Sequence, residues 1–305
     1  PYVTRKKYWD LYEDCAHLEP AIADLGYEQQ DPHSKRIFDA NDWRSFDIQR
    51  EDIIRSRRAY FANISYLDDK VGDLLGALEA TRQEATVVFV SDHGDMLGER
   101  GLWFKMTFFE GSARVPLMIA DADMAPGLVK TPVSTIDVTA TLGALAGADL
   151  SELSPWTEGQ SLVPLGQGGQ RSEPVAMEYA AEGSYAPLVA LRDARYKYVR
   201  CTLDPEQLFD LDADPHELHN LADDPAHHDA LSRLRAMADQ RWNLPLFDAQ
   251  VRESQARRWV VYDALRNGQY YPWDFQPLQQ ASERYMRNHM DLNVLEDNQR
   301  YPRGE

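Results

Sequence analysis

The sequence predicts an α/β domain, a mostly parallel sheet flanked by helices, followed by a smaller antiparallel α+β unit. Three observations carry that expectation. A long amphipathic helical pattern over 48–82 runs into the continuous β-branched stretch ATVVFVS at 85–91, as a strand buried on both faces of a parallel sheet does. A second strand, VPLMIAD (115–121), and a helix, STIDVTATLGALAG (134–147), then continue the α/β alternation. From about residue 174 the texture changes: PVAMEYA, APLVALR and YKYVRCT are short, closely spaced and alternating, which reads as an antiparallel sheet.

Each element has a local reason. Residues 7–23 show helical spacing, with Tyr8, Leu11, Tyr12 and Cys15 on one side. A polar loop with Pro and Asp follows over roughly 28–48. In the long helix, Ile53, Ile54, Tyr60, Phe61, Ile64, Leu67, Val71, Leu74, Leu75 and Leu78 recur at helical intervals and make a face that needs a core. Ser134 is a candidate N-cap of the later helix, and Gly147 lies just past its end. QLFDLDADPHELHNLADDP (207–225) is rich in turn residues and leads to a helix over 226–242, then another over 248–267. The expected units are 1–165, the later half of an α/β catalytic domain; 166–245, the antiparallel part; and 246–305, a helix and an aromatic-rich tail.

At 305 residues, 43% hydrophobic and 27% charged, the composition is that of an ordinary globular protein. No stretch approaches the roughly 18 consecutive apolar residues that span a bilayer, so no membrane segment is expected. The formal net charge of -18 argues against a nucleic-acid partner, because phosphate backbones demand clustered Lys and Arg. The two cysteines, Cys15 and Cys201, form no disulfide framework and fit a reducing, cytoplasmic compartment. The chain opens on Pro1, and PYVTRKKYWDLYEDC reads as the middle of a protein, so further polypeptide is expected upstream.

Chemistry concentrates in VVFVSDHGDMLGERGLWFK (87–105). There an apolar strand runs without a spacer into Asp92, His93, Gly94 and Asp95. Such groups are costly beside a core unless something pairs with them. In an open α/β sheet, ligands sit beyond the carboxyl ends of strands. Asp92 would offer a hard cation its oxygen, and His93 a nitrogen. Gly94 permits the turn that lets adjacent residues reach one ion. A strand ending in a polar Asx-type turn accounts for the same four residues.

The longer stretch SDHGDMLGERGLWFKMTFFEGSARVPLMI resembles, position by position, a segment of the sulfatase family in the alkaline-phosphatase superfamily. LFDLDADPHELHNLA (208–222) resembles a second element of that family, in compatible order. The resemblance implies an alkaline-phosphatase-like fold. It makes Asp92 and His93 ligands of one divalent metal ion, Ca2+ first, with Mg2+ and Mn2+ as alternatives. It also places Lys105 on the sulfate, where an ammonium stabilises charge on a sulfuryl or leaving oxygen. Glu110 and Arg114 read as structural, an ion pair or loop anchor. The segment around His216 and His219 reads as a turn-and-cap element whose aspartates satisfy backbone donors.

RWVVYDALRNGQYYPWDFQPLQQASERYMRNHMDLNVLED resembles the C-terminal extension of bacterial choline sulfatases. That resemblance implies a small-molecule sulfate ester, choline-O-sulfate, as substrate. Quaternary ammonium heads are held by aromatic faces and a nearby carboxylate. Glu182, with Tyr185, is the implied choline-facing pair, and Asp291 the tail acid that reaches an active site, a neighbouring subunit's included. Tyr270, Tyr271, Trp273 and Phe275 fit choline binding and packing in a homo-oligomer (dimer or tetramer) equally well. Family members use a Cys/Ser-x-Pro-x-Arg motif, modified to formylglycine, as nucleophile. Neither Cys15 (DCAHLEP) nor Cys201 (RCTLDPE) fits it. The nucleophile is therefore expected from outside these 305 residues, which alone should hydrolyse no sulfate ester. Two other readings stand beside the sulfatase: a phosphomonoester or phosphonate hydrolase of the same superfamily, and a non-catalytic sulfatase-like scaffold.

Overall fold

The structure is a computed structural model, and it describes residues 2–14, 18–122, 124–153 and 156–266. Its helices are α1 (Lys6–Trp9), α2 (Pro32–Ala40), α3 (Arg50–Thr81), α4 (Glu110–Ala113), α5 (Ile136–Leu145), α6 (Leu150–Leu153), α7 (Val163–Gly166), α8 (His228–Arg241) and α9 (Leu244–Arg266). Its strands are β1 (Val87–Val90), β2 (Leu117–Ala120), β3 (Val175–Tyr179), β4 (Leu188–Arg192), β5 (Tyr196–Cys201) and β6 (Gln207–Asp210).

The long helix forms where its spacing predicts. Its first turn is closed by a capping box, Gln49 with Asp52, and it ends on Arg82 in the left-handed conformation. Its first half packs on the amino-terminal segment through Tyr2–Tyr60, Tyr12–Phe61 and Tyr8–Tyr66 ring contacts. Leu74 and Leu75, by contrast, stand exposed, because periodicity marks a face to be covered without saying by what. Among the described residues of the helix expected over 7–23, only the end of α1 and one 3-10 turn, Asp10–Tyr12, are helical; Tyr8 and Tyr12 pack but Leu11 stands exposed, and Pro20 cannot continue a helical run.

β1 and β2 pair antiparallel, Val87 opposite Ala120 and Val90 opposite Leu117. Neither is buried on both faces: Val90 and Met118 are exposed. The β-branched run at 85–91 thus makes a strand, but not one flanked by parallel partners among the described residues, since apolar continuity encodes burial and not strand direction.

The antiparallel expectation from 174 onward is met by a four-stranded sheet ordered β3-β4-β5-β6. β6 was hidden in the turn-rich segment, where QLFD is too short to show alternation. α8 lays Leu231, Leu234 and Ala238 on Leu191, Tyr198 and Leu208 of that sheet, each fully buried Leu contributing about 1.5–3 kcal/mol. A second cluster joins Phe38 of α2 and Met96, Leu102 and Phe109 of the post-β1 loop to Phe209 of β6 and Leu211. That cluster clamps the chemistry-bearing loop onto the antiparallel sheet.

Candidate functional site

The site begins where β1 ends. Ser91 N–H donates to Pro116 O at 3.4 Å, the last ladder bond, and Gly94 N–H donates to Ser112 O at 2.8 Å. Between them Asp92 and His93 leave the sheet and project outward; 82% of the Asp92 side chain and 44% of His93 are accessible. Gly94 is required by proximity, not by a left-handed turn. A Cβ there would stand 2.2 Å from Gly111 O.

Asp92 Oδ1 accepts the His93 N–H at 2.8 Å. That backbone bond holds the carboxyl below its usual range, so it is anionic at neutral pH. His93 Nδ1 lies 2.8 Å from Gly94 O. A carbonyl can only accept, so Nδ1 carries a proton and Nε2 is the nitrogen left to serve as a ligand. Nε2 stands 3.4 Å from Asp92 Oδ2. A carboxylate oxygen and an imidazole lone pair therefore converge from adjacent residues, the ring fixed by a backbone carbonyl as metal-bound histidines are. This pair fits a divalent cation as two of its ligands. Among the described residues no group of three or more His, Cys, Asp or Glu completes a coordination shell.

The loop from Asp95 to Lys105 is strained and tightly fixed. Leu97, Arg100 and Phe104 hold positive φ (49°, 61° and 63°) beside Gly98 and Gly101, each non-glycine costing of order 1–3 kcal/mol. Asp95 offsets this. Its Oδ1 accepts from Leu97 N at 2.9 Å and Phe104 N at 3.0 Å, and its Oδ2 from Tyr2 Oη at 2.6 Å. Met96 N–H donates to Phe104 O and Gly98 N–H to Leu102 O, both at 2.8 Å. Glu99 accepts from Ala21 N, Ile22 N and Arg57. The loop delivers Lys105, exposed at its end. Ser112 Oγ donates to Lys105 O at 2.6 Å, and Ser112 O holds Gly94. One serine thus ties the Lys105 backbone to the Asp92–His93 turn.

Glu110 does anchor a loop, but with a different partner from Arg114. Lys197 Nζ of β5, 1% accessible, reaches Glu110 Oε1 at 2.7 Å, Glu217 Oε1 at 2.8 Å and Phe108 O at 2.7 Å. Glu217 Oε2 also accepts the Glu110 N–H at 2.7 Å. Burial raises the Glu217 carboxyl above its ordinary range despite Lys197. Arg114 meets Glu110 only through the backbone and is exposed. The cation came from residue 197 because sequence spacing ranks only local partners. His216 and His219 lie on the surface, His219 Nδ1 3.3 Å from Asp214 Oδ2, within the turn that Asp210, Asp214 and Asn220 close through backbone N–H groups.

Glu182 and Tyr185 share the loop after β3. Tyr179 Oη donates to Glu182 O at 2.9 Å and lies 3.3 Å from its Oε2. The Arg36 guanidinium sits 5.8 Å from the Tyr185 ring centre, a cationic neighbour that the sequence did not suggest. Phe108 packs on Tyr179 with ring centres 6.5 Å apart, which brings the Glu182 loop to the segment that follows Lys105. Asp291, Tyr270, Tyr271, Trp273 and Phe275 lie outside the described residues. Lys197, Glu217 and Tyr179 were not singled out in the sequence, where each stands in an ordinary strand or turn.

The chain is similar to known proteins along most of its length. The sulfatase family model matches residues 23–148, that for the N-sulphoglucosamine sulphohydrolase C-terminal region 98–242, and that for the choline sulfatase C terminus 249–301. The chain is 63% identical over 310 aligned residues to choline-sulfatase of Rhizobium meliloti (strain 1021), covering all of this chain and 60% of that protein. It thus spans about three-fifths of that relative's length. Among solved structures, the phosphonate monoester hydrolase of Silicibacter pomeroyi superposes with a TM-score of 0.65 at 26% identity, over 76% of this chain and 52% of that one. A 2-O GAG sulfatase shares the fold, with a TM-score of 0.58 at 22% identity over 79% of this chain and 52% of that one. The strand-end pair, the lysine loop and these matches together place the chain in the sulfatase family.

Proposed function

We propose that the protein carrying this chain hydrolyses choline-O-sulfate to choline and sulfate, and that this chain supplies part of the metal site, a charge-stabilising lysine and the choline-facing carboxylate. The observation that carries the reading is the 63% identity, spread over the whole chain, to the Rhizobium choline-sulfatase. Asp92 and His93 would hold one divalent cation, Ca2+ by preference. When bound, that ion supplies Lewis-acid stabilisation of the sulfate oxygens. Lys105, on its strained and braced loop, offers an ammonium to the charge that grows as the ester C–O–S linkage breaks. Glu182, held by Tyr179 Oη, faces the quaternary ammonium, with Tyr185 beside it. The formylglycine nucleophile belongs to a part of the protein outside these 305 residues. Asp291 and the tail aromatics act at the substrate head or at a subunit interface of a homo-oligomer. A cytoplasmic setting accords with the buried free thiol of Cys201.

The phosphonate monoester hydrolase likeness favours a second reading, hydrolysis of phosphorus esters at the same residues. Steady-state rates with choline-O-sulfate, its tert-butyl isostere lacking the cationic nitrogen, and phosphocholine separate the two. The proposal expects the highest kcat/KM on choline-O-sulfate. A higher value on phosphocholine would overturn it.

A further inference from the structure

Among the described residues, His33 is the one buried histidine, and the proposed chemistry leaves it unused. It stands in the first turn of α2, where Asp31 caps the helix by accepting from His33 N at 3.0 Å and Ser34 N at 3.1 Å. Its ring is 6% accessible, and burial pushes its pKa down, toward the neutral form. Nε2 lies 2.7 Å from Met106 O. That carbonyl can only accept, so the proton is on Nε2, and the ring's single donor is committed to the residue next to Lys105. The ring edge meets Tyr179, centres 5.5 Å apart at 69°, and Tyr179 is the residue whose hydroxyl holds Glu182. One imidazole therefore touches both arms of the site.

Its other nitrogen points the same way. His33 Nδ1 and Thr107 Oγ1 are buried without a partner. Both residues line a cleft of about 20 Å³ together with Ser34, Phe108 and Glu217, room for about one water. A histidine kept only for packing would leave no buried polar atom facing such a space, because an apolar ring of equal size would avoid the cost. The donor bond to Met106 O is what an apolar ring in this place could not supply.

We propose that His33 is a positioning residue that sets Lys105 through the Met106 carbonyl and Glu182 through Tyr179, and so couples sulfate activation to recognition of the alcohol. The proposal rests on the sulfatase reading above. The two arms separate by substitution. His33→Phe keeps a ring against Tyr179 but removes the donor. His33→Gln keeps an N–H at the ε position but removes the ring.

The test uses the full-length protein, with choline-O-sulfate and its neutral tert-butyl isostere as paired substrates. His33→Phe should lower kcat about tenfold on both esters while their kcat/KM ratio holds, one lost hydrogen bond being of that order. His33→Gln should recover most of that kcat while the preference for choline-O-sulfate drops about fivefold, through KM. Parallel loss of kcat and selectivity in both variants, or no loss in either, would overturn the proposal. Nitrogen NMR of the wild-type protein reads the tautomer independently of turnover and of variant folding. A protonated Nε2 supports the proposal, and a protonated Nδ1 in the neutral ring overturns it. If the wild type makes no distinction between the two esters, the choline reading falls instead, and the kcat arm and the tautomer still decide the role of His33.

Discussion

Replacing Lys197 by Met takes away the ammonium that hydrogen-bonds three groups, and leaves Arg100, bound to the Glu217 backbone, as a cation nearby. The ammonium makes two charge-assisted contacts, to Glu110 and Glu217, and one to Phe108 O, all within 2.8 Å. Glu217 is 2% accessible, so after the change its carboxylate keeps only the Glu110 N–H. Removing one partner of a buried ion pair costs about 3–5 kcal/mol, which for a chain of this size lowers Tm by roughly 10 °C. The pH dependence carries the diagnosis. Glu217 already binds its proton more readily than an exposed Glu, and without Lys197 its folded pKa rises further above the unfolded value of about 4.3. The folded variant then gains protons before the unfolded chain does. Its deficit should be greatest at neutral pH and shrink as pH falls through that raised value. Urea unfolding followed by tryptophan fluorescence from pH 7.5 to about 5 measures this. The double change K197M/E217Q, which removes both charges, should recover more than half of the loss. A deficit below about 1 kcal/mol, or one that is flat with pH, would refute the account of a cation holding buried carboxylates.

Other consequences follow from the same contacts. Lys105→Ala should reduce kcat on choline-O-sulfate by about 10²–10³ and leave Tm unchanged, since the side chain is exposed; a fall in Tm would show that the lysine braces the loop. Gly94→Ala has no room for its methyl beside Gly111 O, so strand end and α4 must part, at about 1–3 kcal/mol. Loss of bound divalent metal, measured by elemental analysis, should accompany that change. Arg235 grips Glu206 through Nε and Nη2, with Tyr198 Oη beside it, and keeps its carboxyl below the usual range. The stability it gives is complete above about pH 4.3 and fades as pH falls through the lower folded value. Glu206→Gln should abolish that share of the acid-side slope in a pH series of thermal melts.

The sequence disclosed elements whose signal is internal to them. The 48–82 helix, the helix at 134–147, the three alternating strands and the helix at 226–242 all carry their spacing, caps or pattern within a dozen residues or so. Direction of pairing is a property of two segments, so the antiparallel match of β1 with β2 was out of reach. The same limit hid the site's supports. Asp92 and His93 stand out because charged groups follow an apolar strand without a spacer, and Lys105 because the stretch that carries it resembles the sulfatase family. Lys197, Glu217 and His33 act on that loop from strand, turn and helix far along the chain, and each would pass locally for an ordinary residue. Glu110 was legible as an anchor and illegible as to what it anchors.

The bond from His93 Nδ1 to Gly94 O has a consequence for divergence within the family. The imidazole takes its aim from the very next peptide, so three consecutive residues carry both the proposed ligands and the bond that points the ring. The loop around Glu182, for which we propose recognition of the alcohol, follows a strand of the other sheet, apart from the proposed ion ligands. On the proposed reading, a change of ester would then act on the ion only through the contacts that link the two arms, His33 and Tyr179 among them.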